Sequence, residues 1–330
     1  MSPLPPVRIL MSARVPGDLR ATALEAAVAG QRLAELLLYA DREGLAAHLP
    51  RAEVCYGVGL RADQVPIAPA LRWVHATSAG VDGQPLEAFA AAGVTLTNAR
   101  GQHAEAMADH AFALLLALSR LVPACVVQQR ERRWAAPGAT AGPGELAGRR
   151  LGILGYGAIG RAVARRAVAF GMEVWASRRH PDAETDAAVA AVVGPSRREL
   201  HDLLAACDDI VSILPSTPLT RGLLDAAAFA AMRPGARLIN IGRGSVLDEG
   251  ALEAALRTGR LAGAGCDCLP REPLPPESPL WTAPNLLITP HIGGQHPDYD
   301  RRGMAIFAAN LTRYCLGEPL ENRVDLQAGY

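Results

Sequence analysis

The sequence predicts an α/β protein built from parallel sheets. Strand-like runs and helical patterns alternate along nearly the whole chain, which is typical of parallel strands covered by helices. The 330 residues are long for one hydrophobic core and sufficient for two domains. From residue 150 the alternation is regular and includes a glycine-rich turn between a strand and a helix, which indicates a doubly wound nucleotide-binding unit.

The part before residue 102 contains strand-like runs separated by helical stretches, at 7–12, 53–58, 71–78 and 94–98. A helical pattern at 84–93 closes at Gly93, and a long apolar helix is expected at about 103–121. The following segment, 131–150, is rich in Gly, Pro and Ala. It is predicted to be either a loop that joins two domains or an arm that packs on a partner subunit.

In the second part of the chain, further strands are expected at 150–154, 172–177, 208–214, 236–241, 261–269 and 285–289. Helical patterns separate them, and one begins with Ser196 and Glu199 at the spacing of a capping box. A last helix is expected at about 298–316. This order of elements completes a doubly wound unit.

Composition excludes several classes of function. The 33 basic and 33 acidic residues give a formal net charge of zero, so no overall field favours nucleic acid or an anionic membrane. The absence of lysine excludes Schiff-base lysine chemistry and the lysine-bearing phosphate loop. The N-terminus lacks a signal-peptide pattern, and the longest apolar run, 111–118, is far short of a membrane span. We therefore expect a cytoplasmic protein with no membrane partner.

The six cysteines do not have the spacing of a metal site. None forms a C-x-x-C pair, and no further ligands lie at short spacing from Cys266 and Cys268. These two residues alternate on a predicted strand, so their side chains are expected on one face. We expect buried free thiols and no metal.

A glycine motif, G-x-G-x-x-G, follows one strand and opens a helix. Gly155 would permit the tight turn, Gly157 would let the backbone approach a pyrophosphate, and Gly160 would let helix and strand pack closely. The helix N-terminus offers N–H groups and a positive dipole end to phosphates. The expected cofactor site includes Gly155, Tyr156, Gly157, Ala158, Ile159 and Gly160. The alternative is a glycine-rich turn without a ligand.

The end of the next strand indicates which dinucleotide is bound. Ser177 stands where an acidic residue normally binds the ribose 2′-hydroxyl, and Arg178 and Arg179 follow it. A carboxylate would repel a 2′-phosphate, whereas a hydroxyl and two arginines would hold it through charge-assisted hydrogen bonds. We therefore predict a preference for NADP(H), with NAD(H) as the second choice. The alternative is a solvated basic loop.

Three polar residues follow apolar runs in the nucleotide unit. Arg243 lies between two glycines after a strand, where its planar fork can bind a carboxylate at the ligand-binding edge of the sheet. Glu272 lies in a proline-rich loop 29 residues later, and His291 follows a strand end after another 19. Each residue alone has a structural alternative: a surface ion pair, a turn or a structural histidine.

The constellation resembles the D-isomer-specific 2-hydroxyacid dehydrogenase family. The resemblance runs from about residue 70 to the end and is most specific at "LGILGYGAIGR", "LINIGRGSVLDEGALEAALRTGRLAGAGCD", "REPLPPESPLW" and "ITPHIGG". It implies reduction of a 2-oxoacid by hydride from NAD(P)H, with His291 as proton donor. Glu272 would hold the imidazole and favour its protonated form, and Arg243 would bind the substrate carboxylate and polarise the carbonyl.

The resemblance also implies roles for other residues. Asp267 would contact the nicotinamide amide. Backbone N–H groups would hold the other side of the substrate carboxylate, at Ala79, Gly80 and Val81. The remaining cofactor contacts are expected at Leu214, Pro215, Thr220, Ile241, Gly242 and Gly293.

Within the family, small polar 2-oxoacids such as glyoxylate and hydroxypyruvate are the expected substrates, because related reductases with serine–arginine cofactor loops favour them. A non-catalytic corepressor-like sensor and an NAD-dependent formate or phosphite dehydrogenase are the alternatives. The intact Arg243, Glu272 and His291 argue against the first, and the arginines after Ser177 argue against the second. The phosphoglycerate-dehydrogenase form with an added regulatory domain is not expected at this length.

Two aromatic residues, Tyr56 and Trp134, are expected either to reach the substrate or simply to pack. A departure from the family pattern lies after Asp267, where Cys268 and Leu269 replace the usual valine–phenylalanine pair.

The expected domain organisation is an insertion. A Rossmann-type dinucleotide-binding domain, 102–291, interrupts a flavodoxin-like α/β substrate domain formed by 1–101 and 292–330. Hinges near 101 and 291 would let the domains close and exclude water. The apolar helix and the arm after it suggest a homodimer, with a small-molecule substrate and no nucleic-acid partner.

Overall fold

The computed structural model describes residues 5–136, 143–180 and 188–329. The chain divides into two compact units. The first comprises Met1–Gln102 and His296–Tyr330, and the second comprises His103–Gln295. Each contains a parallel sheet, so the predicted α/β fold class is confirmed. Part of the expected arm, residues 137–142, lies outside the described residues.

The two boundaries between the units lie one and four residues later in the chain than the positions expected from the sequence. Gln102 stays with the first unit, since its side-chain amide donates to a carbonyl there at 2.7 Å. The stretch after His291 stays with the second unit, because the N–H groups of Ile292 and Gly293 donate to the carboxylate of Asp267. Hydrogen bonds between residues distant in sequence therefore set both boundaries.

The first unit contains a five-stranded parallel sheet in its described part. Its strands are β1 (Val7–Ser12), β2 (Ala34–Tyr39), β3 (Val54–Tyr56), β4 (Trp73–Ala76) and β5 (Thr95–Asn98), with helices α1 (Gly17–Ala29), α2 (Arg42–His48) and α3 (Leu86–Ala92). The order β2-β1-β3-β4-β5 is the flavodoxin-like arrangement. The edge strand β2 was not predicted, because its leucine-rich sequence with Ala34 and Glu35 contains good helix formers.

The second unit contains a seven-stranded parallel sheet in its described part. It opens with α4 (Ala104–Ser119) and α5 (Val122–Arg130). The sheet and its other helices follow: β6 (Arg150–Leu154), α6 (Ala158–Ala169), β7 (Glu173–Ser177), β8 (Ala191–Val193), α7 (Arg197–Ala206), β9 (Asp209–Ser212), α8 (Ala226–Ala231), β10 (Ala236–Asn240), α9 (Glu249–Arg257), β11 (Leu261–Cys266) and β12 (Leu286–Ile288). The order β12-β11-β10-β9-β6-β7-β8 is that of a Rossmann-type sheet with one added strand.

Local signals account for several of these elements. The capping box is present, with Ser196 and Glu199 exchanging side-chain and backbone hydrogen bonds at the start of α7. Helix α7 packs closely on β6, since a Cβ at Gly152 would lie 2.6 Å from a methyl carbon of Leu203. The buried carboxylate of Asp209 pairs with the guanidinium of Arg237 at 2.6 Å, which satisfies the first charge of β9.

The last helix, α10 (Tyr299–Leu316), belongs to the first unit and packs against α1. Gly30 makes this contact close, because a Cβ there would lie 2.5 Å from that of Cys315. The helix ends at Gly317, which has a left-handed φ of 74°. A strand-like return of the chain after it pairs Arg323 with Thr97 of β5.

Within the described residues, no single helix is long and apolar enough to cross a membrane. Helices α4 and α5 pass that test only together, and they are bent by 67° at the break between them.

Candidate active site

The glycine turn follows β6 in the chain. In the sheet β6 is the neighbour of β9, and the strand order reverses between these two strands. Gly155 has a φ of 100°, which favours glycine, and a Cβ at Gly160 would lie 2.7 Å from the carbonyl oxygen of Gly155. Packing within the protein therefore explains these two glycines. A Cβ at Gly157 would have no heavy atom within 4 Å, so protein packing does not require a glycine there.

These features fit a bound dinucleotide. Gly157 is the N-cap of α6, and neither a side-chain cap nor an acidic residue occupies the first turn of this helix. The first N–H groups of a helix have no intrahelical acceptor, and the helix dipole favours negative charge there. The helix start that includes Ala158 and Ile159 can therefore receive a pyrophosphate, which the open space at Gly157 lets approach the backbone.

Ser177 connects the glycine turn to the end of β7. Its carbonyl oxygen accepts the N–H groups of Gly155 and Tyr156 at 3.1 and 3.0 Å. The side chain of Ser177 is half-buried, Arg178 is half-buried and Arg179 is exposed. The hydroxyl and both arginines thus follow directly from the strand neighbouring the glycine turn, where a ribose would be bound.

The loop after β9 is held by its own hydroxyl groups. The side chain of Thr220 donates to the carbonyl of Pro215 at 2.5 Å and accepts the N–H of Thr217 at 2.9 Å. Leu214 is partly buried against the core, and Ile241, after β10, is fully buried. These expected cofactor contacts therefore lie at the carboxyl ends of adjacent strands, where they also shape the loop.

Arg243 occupies a corner that only glycines allow. A Cβ at Gly242 would lie 2.7 Å from the backbone of Leu214, and one at Gly244 would collide with the backbone of Leu269. Close contacts within the protein therefore require both glycines. The half-buried guanidinium of Arg243 donates to the carbonyl of Gly242 at 2.9 Å, which fixes its stem.

Glu272 and His291 are hydrogen-bonded to each other. The ring nitrogen Nδ1 of His291 lies 2.8 Å from Oε2 of Glu272, and the other carboxylate oxygen accepts the N–H of Leu269 at 2.9 Å. The side chain of His291 is 49% exposed and that of Glu272 is 40% exposed, so the pair is accessible from solvent. A carboxylate only accepts hydrogen bonds, so Nδ1 is the donor and Nε2 is left for another partner.

His291 has an unusual backbone conformation. Its φ of 54° lies in the left-handed region, which is uncommon for a residue other than glycine. Its N–H donates to the carbonyl oxygens of Asp267 and Thr289, each at 3.0 Å. The surrounding hydrogen bonds therefore impose the backbone geometry that carries the imidazole.

The carboxylate of Asp267 organises the His291 loop. It accepts from the hydroxyl of Thr289 at 2.6 Å and from the N–H groups of Ile292 and Gly293 at 3.0 and 2.9 Å. Burial raises the pKa of this carboxyl group, but hydrogen bonds from His110, Thr289 and the two backbone N–H groups outweigh burial and lower the pKa to about 2. Asp267 therefore stays ionised and holds the loop, whatever contact it makes with a cofactor.

Sequence reasoning missed two residues of this network. His110, on α4, places Nε2 2.9 Å from the hydroxyl of Thr289 and 3.3 Å from the carboxylate of Asp267. The buried side chain of Asn240 donates to the carbonyl of Cys268 at 3.1 Å and reaches that of Arg243 at 3.3 Å. Asn240 thereby joins the loops after β10 and β11. The polar residue inside the apolar run "LINI" was the available signal for Asn240.

Cys268 lies beyond the end of β11, so the expected strand alternation with Cys266 was wrong. Its side chain is buried, and burial raises the pKa of the thiol to about 12, with Asp267 and Glu272 adding to the increase and Arg243 opposing it. Charged groups of Arg243, Glu272 and Asp267 thus all act on one thiol. Asn240 links the backbones of Arg243 and Cys268, and Glu272 bonds His291, so the three predicted catalytic residues lie in loops that follow β10, β11 and β12 of the second unit.

The predicted carboxylate-binding turn follows β4 in the first unit. The side-chain amide of Asn98 donates to the carbonyl of Ala79, and the hydroxyl of Ser78 donates to that of Gly80, both at 2.6 Å. Val81 is buried and anchors the end of the turn. These contacts fix the peptide planes of the turn.

The two aromatic candidates differ. Tyr56 is buried in the first unit, with its ring centroid 4.7 Å from that of Phe307, so packing accounts for it. Trp134 is fully exposed in the single chain, so packing does not account for it.

Comparison with known proteins agrees with this geometry. Residues 112–293 match the family profile of the D-isomer specific 2-hydroxyacid dehydrogenase NAD binding domain. The chain is 36% identical over 285 residues to glyoxylate/hydroxypyruvate reductase B of Pectobacterium carotovorum, covering 84% of this chain and 87% of that protein. It is 35% identical over 292 residues to D-3-phosphoglycerate dehydrogenase of Mycobacterium tuberculosis, covering 88% of this chain. The chain spans about half the length, 54%, of that second relative.

A solved structure is also similar. The D-isomer specific 2-hydroxyacid dehydrogenase of Xanthobacter autotrophicus Py2, in complex with NADPH and MES, has a TM-score of 0.81 and 30% identity. The match covers 99% of this chain and 100% of that one.

The fold and the glycine turn define a protein with a Rossmann-type NAD-binding domain. The chain belongs to the D-isomer-specific 2-hydroxyacid dehydrogenase family, a family of NAD(P)-dependent enzymes.

Proposed function

We propose that this protein is an NADPH-dependent reductase of small polar 2-oxoacids, with His291 as the proton donor. The hydrogen bond of 2.8 Å between His291 and Glu272 carries the proposal. It fixes Nδ1 as a donor to the carboxylate and orients the ring, so that Nε2 is the atom from which a proton can pass to the substrate.

Bound NADPH would supply the hydride to the carbonyl carbon. The substrate oxygen would take the proton of Nε2, which leaves a neutral imidazole to be reprotonated from solvent through its exposed face. Arg243 would hold the carboxylate of the substrate by two parallel hydrogen bonds and polarise the adjacent carbonyl. A D-2-hydroxyacid is the expected product.

The preference for NADPH depends on Ser177, Arg178 and Arg179. A hydroxyl and two guanidinium groups follow β7, and no carboxylate stands at Ser177 to repel a 2′-phosphate. The similar structure from Xanthobacter autotrophicus was solved with NADPH, which supports the proposal. Replacing both arginines by alanine should weaken NADPH binding at least tenfold and leave NADH binding within about twofold. Equal losses for both cofactors would contradict the preference.

We further propose that the enzyme is a homodimer that works in the cytoplasm. The exposed side chains of Val122, Val126 and Val127 on α5 support association, and so does the exposed ring of Trp134. Six free cysteines support a reducing compartment. Light scattering that gives the mass of one chain would contradict the dimer.

The reaction is tested by following NADPH and NADH at the nicotinamide absorbance band with a panel of 2-oxoacids. We expect the highest kcat/KM with NADPH and either glyoxylate or hydroxypyruvate, and lower values with bulky 2-oxoacids. The panel includes oxidation of D-3-phosphoglycerate with NAD⁺, because one relative is a dehydrogenase of that compound. Turnover of D-3-phosphoglycerate alone would replace the proposed substrate class, and no turnover of any 2-oxoacid would contradict reductase activity.

A further inference from the structure

A buried thiol that the proposed reaction does not use lies beside the catalytic pair. The Sγ atom of Cys268, a carboxylate oxygen of Glu272 and a ring nitrogen of His291 all lie within 4.8 Å of one another. The three residues are distant in sequence, and the fold brings them together through the loops after β11 and β12. Sequence spacing therefore predicted no metal ligands here.

The distances suit a tetrahedral metal after a small adjustment. Zinc binds sulfur at about 2.3 Å and nitrogen or oxygen at about 2.0–2.2 Å, so its ligand atoms lie roughly 3.3–3.6 Å apart. The Nδ1–Oε2 distance of 2.8 Å must widen slightly, and the distances to Sγ, which are at most 4.8 Å, must settle in the same range. Cys268 is 1% exposed and fixed, while the half-exposed side chains of Glu272 and His291 have room to adjust.

Charge and ligand chemistry select the metal. A thiolate, the carboxylates of Glu272 and Asp267 and the guanidinium of Arg243 together carry a charge of minus two, since three negative groups face one positive group. That charge balances a divalent cation. A set of sulfur, imidazole nitrogen and carboxylate oxygen suits Zn²⁺, whereas Mg²⁺ and Ca²⁺ prefer oxygen alone.

We propose that Cys268, Glu272 and His291 form an inhibitory Zn²⁺ site. On binding, the S–H bond of Cys268 and the Nδ1–H bond of His291 break, and the protons pass to solvent while the ring keeps one proton on Nε2. Zn–S, Zn–N and Zn–O bonds form to Cys268, His291 and Glu272, and no oxidation state changes. Water occupies the fourth position, as at three-ligand zinc sites. The bound metal takes the imidazole away from substrate and breaks the hydrogen bond by which Glu272 holds the ring. Inhibition rests on the proposed role of His291, but binding of the metal does not.

The test uses the full chain with Co²⁺ and Zn²⁺ as probes. Cobalt bound to a thiolate gives a charge-transfer band in the near ultraviolet, which reports the Co–S bond without any measurement of activity. Titration calorimetry gives the Zn²⁺ stoichiometry and affinity. The same measurements are made on Cys268→Ala and Cys268→Ser, with Cys125→Ala as the exposed-thiol control and Cys266→Ala as the buried-thiol control.

We expect one Zn²⁺ per chain, a cobalt–thiolate band, and loss of 2-oxoacid reduction when zinc is added. Both Cys268 variants should lose the band and weaken Zn²⁺ binding at least about 100-fold, since even loss of an outer partner costs 10- to 100-fold. Their metal-free turnover should stay within about twofold of the wild type. The Cys125 and Cys266 variants should behave like the wild type.

A missing thiolate band, or equal Zn²⁺ affinity in the Cys268 variants, would overturn the site and indicate adventitious binding at surface side chains only. Zinc binding through Cys268 in a chain without 2-oxoacid reduction would leave the site standing and overturn the proposed function instead. The two failures are therefore distinguishable.

Discussion

A conservative replacement of Arg243 should weaken binding of the substrate and leave binding of the cofactor unchanged. Arg243→Lys keeps the charge but removes the planar fork that binds a carboxylate through two hydrogen bonds. Loss of one charge-assisted hydrogen bond, about 1.5–3 kcal/mol, should raise KM for the 2-oxoacid about 10- to 100-fold. The dissociation constant for NADPH should not change. An unchanged KM in steady-state assays would exclude Arg243 from the carboxylate site.

At the same scale, Arg243, Glu272 and His291 could be proposed as catalytic residues from the sequence because each belongs to a motif with its neighbours. His110 and Asn240 could not. His110 follows Asp109 at the start of an apolar run and Asn240 lies inside another, and the partners that join them to the site, Thr289 and Cys268, lie far away in the chain. Such contacts are determined by the packing of α4 and β10, which periodicity does not specify.

At the scale of elements, replacing Gly160 or Gly157 in the β6–α6 turn by alanine should have different effects on stability and on cofactor binding. Gly160→Ala places a Cβ 2.7 Å from a carbonyl oxygen, so the free energy of unfolding should fall by about 1–3 kcal/mol. Gly157→Ala meets no protein atom and has an extended backbone that alanine accepts, so stability should stay within about 0.5 kcal/mol. Gly157→Ala should nevertheless weaken NADPH binding at least tenfold, because its methyl group would occupy the approach of the pyrophosphate.

Urea unfolding and cofactor titration check this pair of variants. Destabilisation by Gly157→Ala comparable to that of Gly160→Ala would mean that packing requires both glycines. Normal NADPH affinity in a stable Gly157→Ala variant would contradict the dinucleotide site.

The same scale shows which elements sequence patterns can specify. β6 was predicted at its observed bounds, and β10 and β11 differed only at their carboxyl ends. The edge strands β2 and β8 were missed, because β2 has the composition of a helix and β8 has only three residues. The carboxyl ends of the strands carry the candidate site, and they are where the predicted bounds were least accurate. Cys268 was assigned to a strand but lies in the loop that follows β11.

At the scale of the whole molecule, a buried histidine of the first unit links the stability of the fold to pH. His75 is fully buried in the first unit, and burial lowers the pKa of its imidazole to about 4. The hydroxyl of Thr97 accepts from the indole of Trp73 and shares a hydrogen bond of 2.8 Å with Nδ1 of His75. The ring is therefore neutral in the folded protein.

Because the pKa of His75 is lower in the folded state than its unfolded value of about 6.5, the unfolded chain binds more protons between these values. This contribution to stability is complete above about pH 6.5 and is lost as the pH falls through about 4, by up to about 3 kcal/mol. His75→Asn should start less stable but lose less between pH 7 and pH 4. Urea unfolding followed by circular dichroism checks the slope, with His48→Asn as control. Equal slopes for His75→Asn and the wild type would contradict the assignment.

The central claim is that the imidazole held by Glu272 protonates the substrate during hydride transfer. Rapid mixing of the NADPH complex with hydroxypyruvate, compared between the wild type and His291→Gln, tests it most directly. Glutamine cannot donate a proton as an acid, so the rate of NADPH oxidation should fall about 10²- to 10⁴-fold while the dissociation constant for NADPH stays unchanged. A rate in His291→Gln close to that of the wild type would contradict the claim.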